Sequence, residues 1–329
     1  VPLLEECISA KMSEVNFGNA REISKLSQRI DEEYKNSVVS SEFPDDNILR
    51  KEMLDRIMPK VEETRLDKLI GIRQVRERLD SLKKAAVYKK VAKEYSLNIP
   101  SSSMHMIFTG NPGTGKTTVA KLFAQELYNA GVLDTNKTII LEPKDLAGNS
   151  KESPVMVFKR KLREAKGGIL FIDEAYSLNQ TSENDYGKEA IDTILKAMED
   201  RRDDFIVIVA GYPELMDRFL HSNPGLESRF NKFIYFEDYN AEQLYKIFML
   251  MADEANLKLD DAADEYIKQY CQKMYENRSD NFANARAVRN IFEEVITAQA
   301  NRLAPKEDIT DEELNTLTYE DFLVDDNEI

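Results

Sequence analysis

The stretch Gly110-Asn111-Pro112-Gly113-Thr114-Gly115-Lys116-Thr117-Thr118 decides the fold of this chain. It is a strict G-x-x-x-x-G-K-T between an apolar run at 104–109 and a helical stretch that follows. In that context the glycines let backbone N–H groups turn toward a phosphate, and the helix N-terminus adds positive potential. Lys116 is expected to reach the β- and γ-phosphate oxygens and to act in catalysis, and the Thr117 hydroxyl is expected to bind Mg²⁺. The stretch predicts a P-loop with the nucleotide-contacting residues Asn111, Pro112, Gly113, Thr114, Gly115, Lys116, Thr117 and Thr118.

A second acidic motif lies downstream, in Gly168-Ile169-Leu170-Phe171-Ile172-Asp173-Glu174. Four apolar residues predict a buried strand that presents two carboxylates at its C-terminal end. Asp173 is suited to hold Mg²⁺, and Glu174 is suited to orient and polarise an attacking water. The two motifs together predict a site that binds ATP or ADP with Mg²⁺ and hydrolyses ATP.

Short apolar runs alternate with longer helical stretches, which is typical of parallel strands joined by crossover helices. The expected strands are 104–109, 138–141, 169–172, 205–210 and 233–236. Beyond Tyr239 only helical periodicity remains. We therefore predict an α/β nucleotide-binding core at 63–238, an all-helical lid at 239–304 and an acidic tail at 305–329.

A repeat links the two ends of the chain. Asn16-Phe17-Gly18-Asn19-Ala20-Arg21-Glu22-Ile23 resembles Asn281-Phe282-Ala283-Asn284-Ala285-Arg286-Ala287-Val288, and each copy opens an amphipathic helix. We interpret 1–62 as a helical segment that ends the lid of a preceding similar module. Chance similarity of a short helix start is the alternative.

Composition limits the classes of partner. Net charge is −15, but residues 305–329 hold ten acids against one lysine and supply −9 of it, so the remainder is only mildly acidic. Nucleic-acid binding needs a concentrated cationic face. A local basic stripe is possible, notably at 159–163, although at helical spacing such a run is usually a solvated helix face. No apolar run has the roughly 20 residues of a membrane span, so we expect a cytoplasmic protein without membrane contact. Cys7 and Cys271 lack the spacing of a zinc site.

From 66 to 303 the sequence resembles the AAA+ ATPases, in the group that contains stage V sporulation protein K and the red-type rubisco activases. The matching runs include 69–72, 171–178, 187–193, 208–213 and 223–230, besides the two motifs above. The resemblance implies a P-loop AAA+ core with a five-stranded parallel sheet and a helical lid. It also implies a ring of identical chains, expected to be a hexamer, that acts on a protein client. The terminal repeat then suggests one module of a tandem chain.

The resemblance assigns further site residues. Ile70 and Gly71 match the segment that lines the adenine pocket. Arg229 resembles the arginine finger that reaches the nucleotide of a neighbouring subunit, although a turn arginine is often only a salt-bridge partner. Arg286 resembles the sensor-2 arginine of the lid. Its alternatives are a lid surface charge and Arg289, one turn further on.

Two features depart from the family. Tyr212 stands in the segment where many AAA+ proteins place a sensor-1 asparagine. Ser150 occupies the loop position where threading members carry an aromatic residue. Three functions therefore stay open: an ATP-driven protein remodeller, a nucleotide-gated assembly module without threading, and a nucleic-acid-associated ATPase.

Overall fold

The computed structural model describes residues 34–35, 66, 69–97, 103–146, 154–179, 186–201, 204–306 and 308–323. Ser150 and the repeat copy at 16–23 lie outside these ranges, as does nearly all of the segment predicted at 1–62. The tandem interpretation therefore stays a prediction.

Five parallel strands form one sheet within the described residues, in the order β2-β3-β4-β1-β5. Their bounds are β1 Met106–Thr109, β2 Thr138–Leu141, β3 Ile169–Ile172, β4 Ile206–Gly211 and β5 Phe233–Tyr235. β1 is central, with Met106 opposite Ile208 on one side and Ile107 opposite Phe233 on the other. The predicted five-stranded parallel sheet is confirmed.

Helices cover both faces of this sheet. They are α1 Arg73–Glu94, α2 Lys116–Asn129, α3 Pro154–Glu164, α4 Tyr186–Asp200, α5 Pro213–His221 and α6 Pro224–Arg229, with 3-10 turns at Pro143–Leu146 and Ala175–Asn179. Successive strand residues pack on opposite sides: Ile107 joins one core cluster, whereas Met106 and Phe108 join the other. Because both faces are covered, β3 and β4 are buried along their whole length, which explains their continuous apolar runs.

The lid follows β5 and contains α7 Ala241–Glu254, α8 Asp261–Glu276 and α9 Ala285–Leu303. A capping box begins α7, in which the Asn240 side chain accepts from the Gln243 N–H and the Gln243 side chain accepts in return. The Asp260 side chain caps α8 by accepting from the Ala263 N–H at 2.7 Å. These caps satisfy helix-end N–H groups that packing alone would leave without partners.

The lid extends beyond the boundary predicted at 304. α10 Asp311–Asn315, the strand β7 Thr316–Leu317 and a 3-10 turn at Tyr319–Phe322 pack onto it, and β7 pairs with β6 Lys258–Leu259. Leu317 and Phe322 are buried in the lid core. The acidic composition of this region hid those two apolar positions, so part of the predicted tail belongs to the lid. No helix among the described residues is long and apolar enough to cross a membrane.

Candidate nucleotide-binding site

The loop between β1 and α2 is shaped by glycines in conformations that other residues rarely adopt. Gly113 has φ 71° and Gly115, which begins α2 as its N-cap, has φ 90°. A side chain on Gly113 would place its Cβ 2.2 Å from the carbonyl oxygen of Ala283 in the lid. Glycine is therefore needed both for the loop conformation and for close contact with the lid.

Lys116 begins α2 and points back into the loop. Its Nζ donates to the carbonyl oxygens of Gly110 and Asn111, at 2.8 Å each. Burial lowers the pKa of Lys116 to about 8; the Asp173 carboxylate opposes this shift, and Arg286 adds to it. The ammonium group thus lies where phosphate oxygens could replace two backbone carbonyls as its acceptors.

Two carboxylates follow β3 directly. The Asp173 N–H donates to the Leu141 carbonyl at 3.0 Å, which extends the pairing of β3 with β2. Asp173 Oδ1 accepts from the Glu174 N–H at 3.1 Å. Glu174 has φ 47°, a left-handed conformation that costs a non-glycine residue about 1–2 kcal/mol. Such strain concentrates at functional sites, and here it turns Glu174 sharply away from the strand direction.

A cavity of about 460 Å³ lies between the P-loop, the carboxylates and the lid. That size is within the range of small-molecule pockets. The predicted site residues that line it are Ile70, Pro112, Gly113, Thr114, Gly115, Lys116, Thr117, Thr118, Asp173, Glu174 and Arg286.

Comparison with known proteins gives the same interpretation. Residues 106–238 match the model of the ATPase family associated with various cellular activities (AAA), and residues 240–329 match the AAA lid domain. The chain belongs to the AAA+ ATPases.

The relatives of this AAA+ chain are similar along most of their length. It is 40% identical over 258 residues to the CfxQ homolog of Cyanidium caldarium, which covers 78% of this chain and 90% of that protein. Identity is 38% to stage V sporulation protein K of Bacillus subtilis (80% and 82% covered) and 39% to the chloroplastic ribulose bisphosphate carboxylase/oxygenase activase of Cyanidioschyzon merolae (78% and 87%). A mutant of Thermotoga maritima RuvB superposes with a TM-score of 0.52 at 18% identity, over 78% of this chain and 69% of that one, which shows the shared fold.

The apolar end of the AAA+ nucleotide cavity comes from both domains. Ile70 contributes from the core side, and Ile247, Leu250 and Met251 contribute from α7. In the sequence, Ile247 and Met251 belong to the helical periodicity that follows Tyr239 and carry no separate signal of a ligand site. Ile247 and Met251 are spaced i, i+4, and the half-exposed Leu250 lies beside them. This spacing fits residues that pack in the lid core equally well as residues that line a ligand cavity.

Two of the predicted contact residues do not line the cavity. The Asn111 side chain donates instead to both oxygens of Asp238, at 3.0 and 3.1 Å. An added Cβ on Gly71 would lie 2.8 Å from the Tyr239 ring, so this glycine lets the preceding loop pack against the start of the lid. Both residues lie outside the cavity, and the residues next to them in the sequence supply its lining.

Arginines occupy two separate places. Arg286 and Arg289 both line the cavity from α9, so the geometry leaves both as candidates for a lid contact with nucleotide. Arg229, at the end of α6, does not line it. Its Nη2 contacts Glu199 Oε2 of α4 at 2.6 Å, and its Nη1 donates to the Gly225 carbonyl at 3.3 Å.

The donor set at the phosphate end suits Mg²⁺. Among the residues that the structure describes, no cluster of three or more histidine, cysteine or carboxylate residues could hold a metal on its own. Thr117 and Asp173 line the same cavity as the P-loop glycines. Mg²⁺ is commonly bound in this way, by one or two protein oxygens together with substrate phosphates and waters.

Proposed function

We propose that this AAA+ chain hydrolyses ATP to ADP and phosphate, that it works in a ring of identical chains, and that the ring remodels a protein client. One observation carries the proposal. Lys116, Asp173, Glu174 and Arg286 line one cavity, whereas Arg229 lies outside it on α6. A site that needs an arginine finger would then be completed by a second copy.

The residues divide the chemistry among them. Backbone N–H groups at the start of α2 and the Lys116 ammonium would bind the β- and γ-phosphates. Glu174 would accept a proton from the water that attacks the γ-phosphorus, while the bond from that phosphorus to the β–γ bridging oxygen breaks and ADP leaves. Mg²⁺ held through Thr117 and Asp173 would neutralise negative charge on the phosphate oxygens.

Lid residues would complete binding of the nucleotide. Ile70, Ile247 and Met251 form an apolar wall for the adenine ring, and Arg286 faces the phosphate end, close enough to Lys116 to lower its pKa. A nucleotide would therefore bridge the core and the lid. Hydrolysis could then change the relation between the two domains, which is how we propose that ATP energy reaches a client.

A protein client is suggested by the relatives. The activase of Cyanidioschyzon merolae is named for its action on another enzyme, and that relative shares 39% identity with this chain. The loop that would contact a threaded polypeptide contains Ser150, outside the described residues.

The first test is ATP hydrolysis measured against protein concentration. In a ring, specific activity should rise with concentration, because each site needs its neighbour. Arg229→Ala and Glu174→Gln should each lower kcat by about a thousandfold or more. Arg218→Ala, at an exposed arginine of α5, is the matched control and should keep wild-type activity.

Mixing distinguishes a shared site from a site within one chain. When Arg229→Ala and Glu174→Gln chains are combined equally, about a quarter of head-to-tail interfaces unite an intact finger with an intact carboxylate. Activity should reappear in the mixture. If the mixture stays inactive, or if activity is independent of concentration, Arg229 does not act between chains and the ring mechanism is wrong.

A further inference from the structure

Asn284 has an unusual place at the head of the lid helix α9. It is fully buried, and its backbone adopts φ 51° and ψ −129°, far from helical values. Residues other than glycine rarely adopt a positive φ with such a ψ. The conformation persists only if the surrounding contacts hold it in place.

The Asn284 side chain supplies those contacts. Its Nδ2 donates to Asp238 Oδ1 at 2.7 Å, to the Phe282 carbonyl at 2.9 Å and to the Pro112 carbonyl at 3.3 Å. Its Oδ1 accepts from the Tyr239 N–H at 2.8 Å. One side chain therefore joins the P-loop, the connection between the two domains and the lid.

Asp238 extends this network to a second P-loop residue. Its two carboxylate oxygens accept from Asn111 Nδ2, and Oδ1 also accepts from Asn284. Hydrogen bonds to a charged acceptor are stronger than those between neutral groups. The order Asn111, Asp238, Asn284 is thus a continuous polar link from the nucleotide loop to the lid.

Close packing accompanies the polar link. The start of α9 lies so near the P-loop that a Cβ on Gly113 would lie 2.8 Å from the backbone nitrogen of Arg286. The Tyr239 hydroxyl donates to the Thr114 carbonyl at 3.2 Å. A change in the loop that disturbs this packing therefore acts directly on the backbone of Arg286.

We propose that Asn284, acting through Asp238, is a positioning residue that fixes the lid and Arg286 relative to the P-loop, so that nucleotide binding and lid orientation depend on each other. The proposal rests on the nucleotide-binding part of the proposed function and is independent of the ring and the client. In the terminal repeat, Asn19 and Arg21 correspond to Asn284 and Arg286.

Asn284→Gly separates the side chain from the backbone. Glycine tolerates the observed φ, so the fold should persist, while the side-chain bonds to Pro112, Asp238 and Tyr239 are lost. We expect ADP affinity to fall about tenfold. Wild-type protein should show slower amide hydrogen exchange at 285–292 when ADP saturates the site, and the variant should lose most of this slowing even at saturating ADP.

A swap of charges tests the Asp238 link directly. Asn284→Asp places a second carboxylate against Asp238 and should weaken ADP binding more than Asn284→Gly does. Adding Asp238→Asn restores a donor–acceptor pair and should recover affinity by about tenfold, a coupling that independent sites would not show. Asn290→Asp, at an exposed asparagine of α9, is the matched control and should behave as wild type.

Asn111→Ala provides a second test if thermal denaturation shows that the Asn284 variants are unfolded at the assay temperature. It removes the far end of the link at a partly exposed position and should reduce the ADP-induced slowing of exchange in α9. Wild-type affinity and wild-type exchange in Asn284→Gly, or no coupling in the swap, would overturn the positioning role while leaving nucleotide binding intact. Failure of the wild-type protein to bind ADP would overturn this role and the proposed nucleotide site together.

Discussion

Replacing Arg302 by methionine tests whether residues 311–322 are an integral part of the lid. Arg302 Nε donates to Asp321 Oδ1 at 2.7 Å, and its Nη2 donates to Oδ2 at 2.8 Å. The Asp321 side chain is 0% exposed and that of Arg302 is 19% exposed. Arg302→Met therefore leaves a carboxylate buried without its cation.

Removing one partner of a buried ion pair costs about 3–5 kcal/mol. The lower end applies here, because Asp321 Oδ2 keeps the bond from the Thr318 N–H at 2.8 Å. We expect the opening free energy of the lid to fall by about 3 kcal/mol, which is roughly a hundredfold loss of protection. Native-state hydrogen exchange over 295–303 measures this quantity directly.

The pH dependence of this loss has a defined sign. Burial alone would raise the pKa of Asp321, but the bonds from Arg302 and Thr318 outweigh burial and lower it. The carboxylate thus stabilises the fold above its unfolded pKa of about 4, and this contribution disappears as pH falls through the lower folded pKa. The difference between Arg302→Met and wild type should therefore shrink as pH falls toward the lowered pKa of Asp321, because protonation removes the unpaired buried charge from the variant and the ion pair from wild type.

Two variants complete this experiment. Arg302→Met combined with Asp321→Asn leaves no buried charge and should recover part of the loss. Arg289→Met changes an exposed arginine of the same helix and should stay within about 0.5 kcal/mol of wild type. If Arg302→Met resembles this control, residues 311–322 do not stabilise the lid and the reasoning is wrong.

Three further predictions concern the nucleotide cavity. Burial lowers the pKa of Lys116 to about 8, and only its ammonium form binds phosphate, so ADP affinity should fall by up to tenfold per pH unit above that pH. Constant ADP affinity up to pH 9.5 would contradict this prediction. The control Lys116→Met should not show this pH dependence. Gly113→Ala should weaken ADP binding by more than tenfold, since its Cβ would lie 2.2 Å from the Ala283 carbonyl oxygen. The control Gly131→Ala also replaces a glycine of positive φ, but outside the cavity, and should leave ADP affinity unchanged. Tyr239→Phe removes the hydroxyl bond to the loop and should weaken ADP binding about fivefold in equilibrium titration; a wild-type value would show that this contact does not support the loop.

The core could be predicted from the sequence because its signals are local. Continuous apolar runs such as 169–172 indicate strands buried on both faces, and the run 110–118 has the glycine pattern that is typical of a phosphate-binding loop. β2, β3 and the start of β5 agree with the predicted bounds. β1 begins at Met106 rather than 104, because the His105 ring already accepts from the Val207 N–H beside the strand.

The remaining site residues depend on contacts between distant segments. Asn284 and Asp238 look like ordinary polar residues in the sequence, and only the packing of α9 on the P-loop brings them together. Leu317 and Phe322 stand in an acidic region beside apolar residues that stay exposed, such as Leu314 and Leu323, so the sequence alone does not show which of them are buried. Tertiary contacts of this kind leave no periodic pattern in a single sequence.

The proposed role of Arg229 in the site of a neighbouring chain can be weighed against the contact that it makes within its own chain. Its contact with Glu199 joins α6 to α4, but Glu199 is 64% exposed, and such pairs contribute only about 0.2–1 kcal/mol. An arginine finger stabilises the transition state by a factor of about a thousand or more, equivalent to at least about 4 kcal/mol. The contact with Glu199 is therefore strong enough to favour one orientation of Arg229. It is too weak to prevent Arg229 from moving to the γ-phosphate of a nucleotide bound by a neighbouring chain. Glu199→Gln should then change the kcat of the assembled protein far less than Arg229→Ala does, and an equal loss in both would mean that Glu199 itself acts in the shared site.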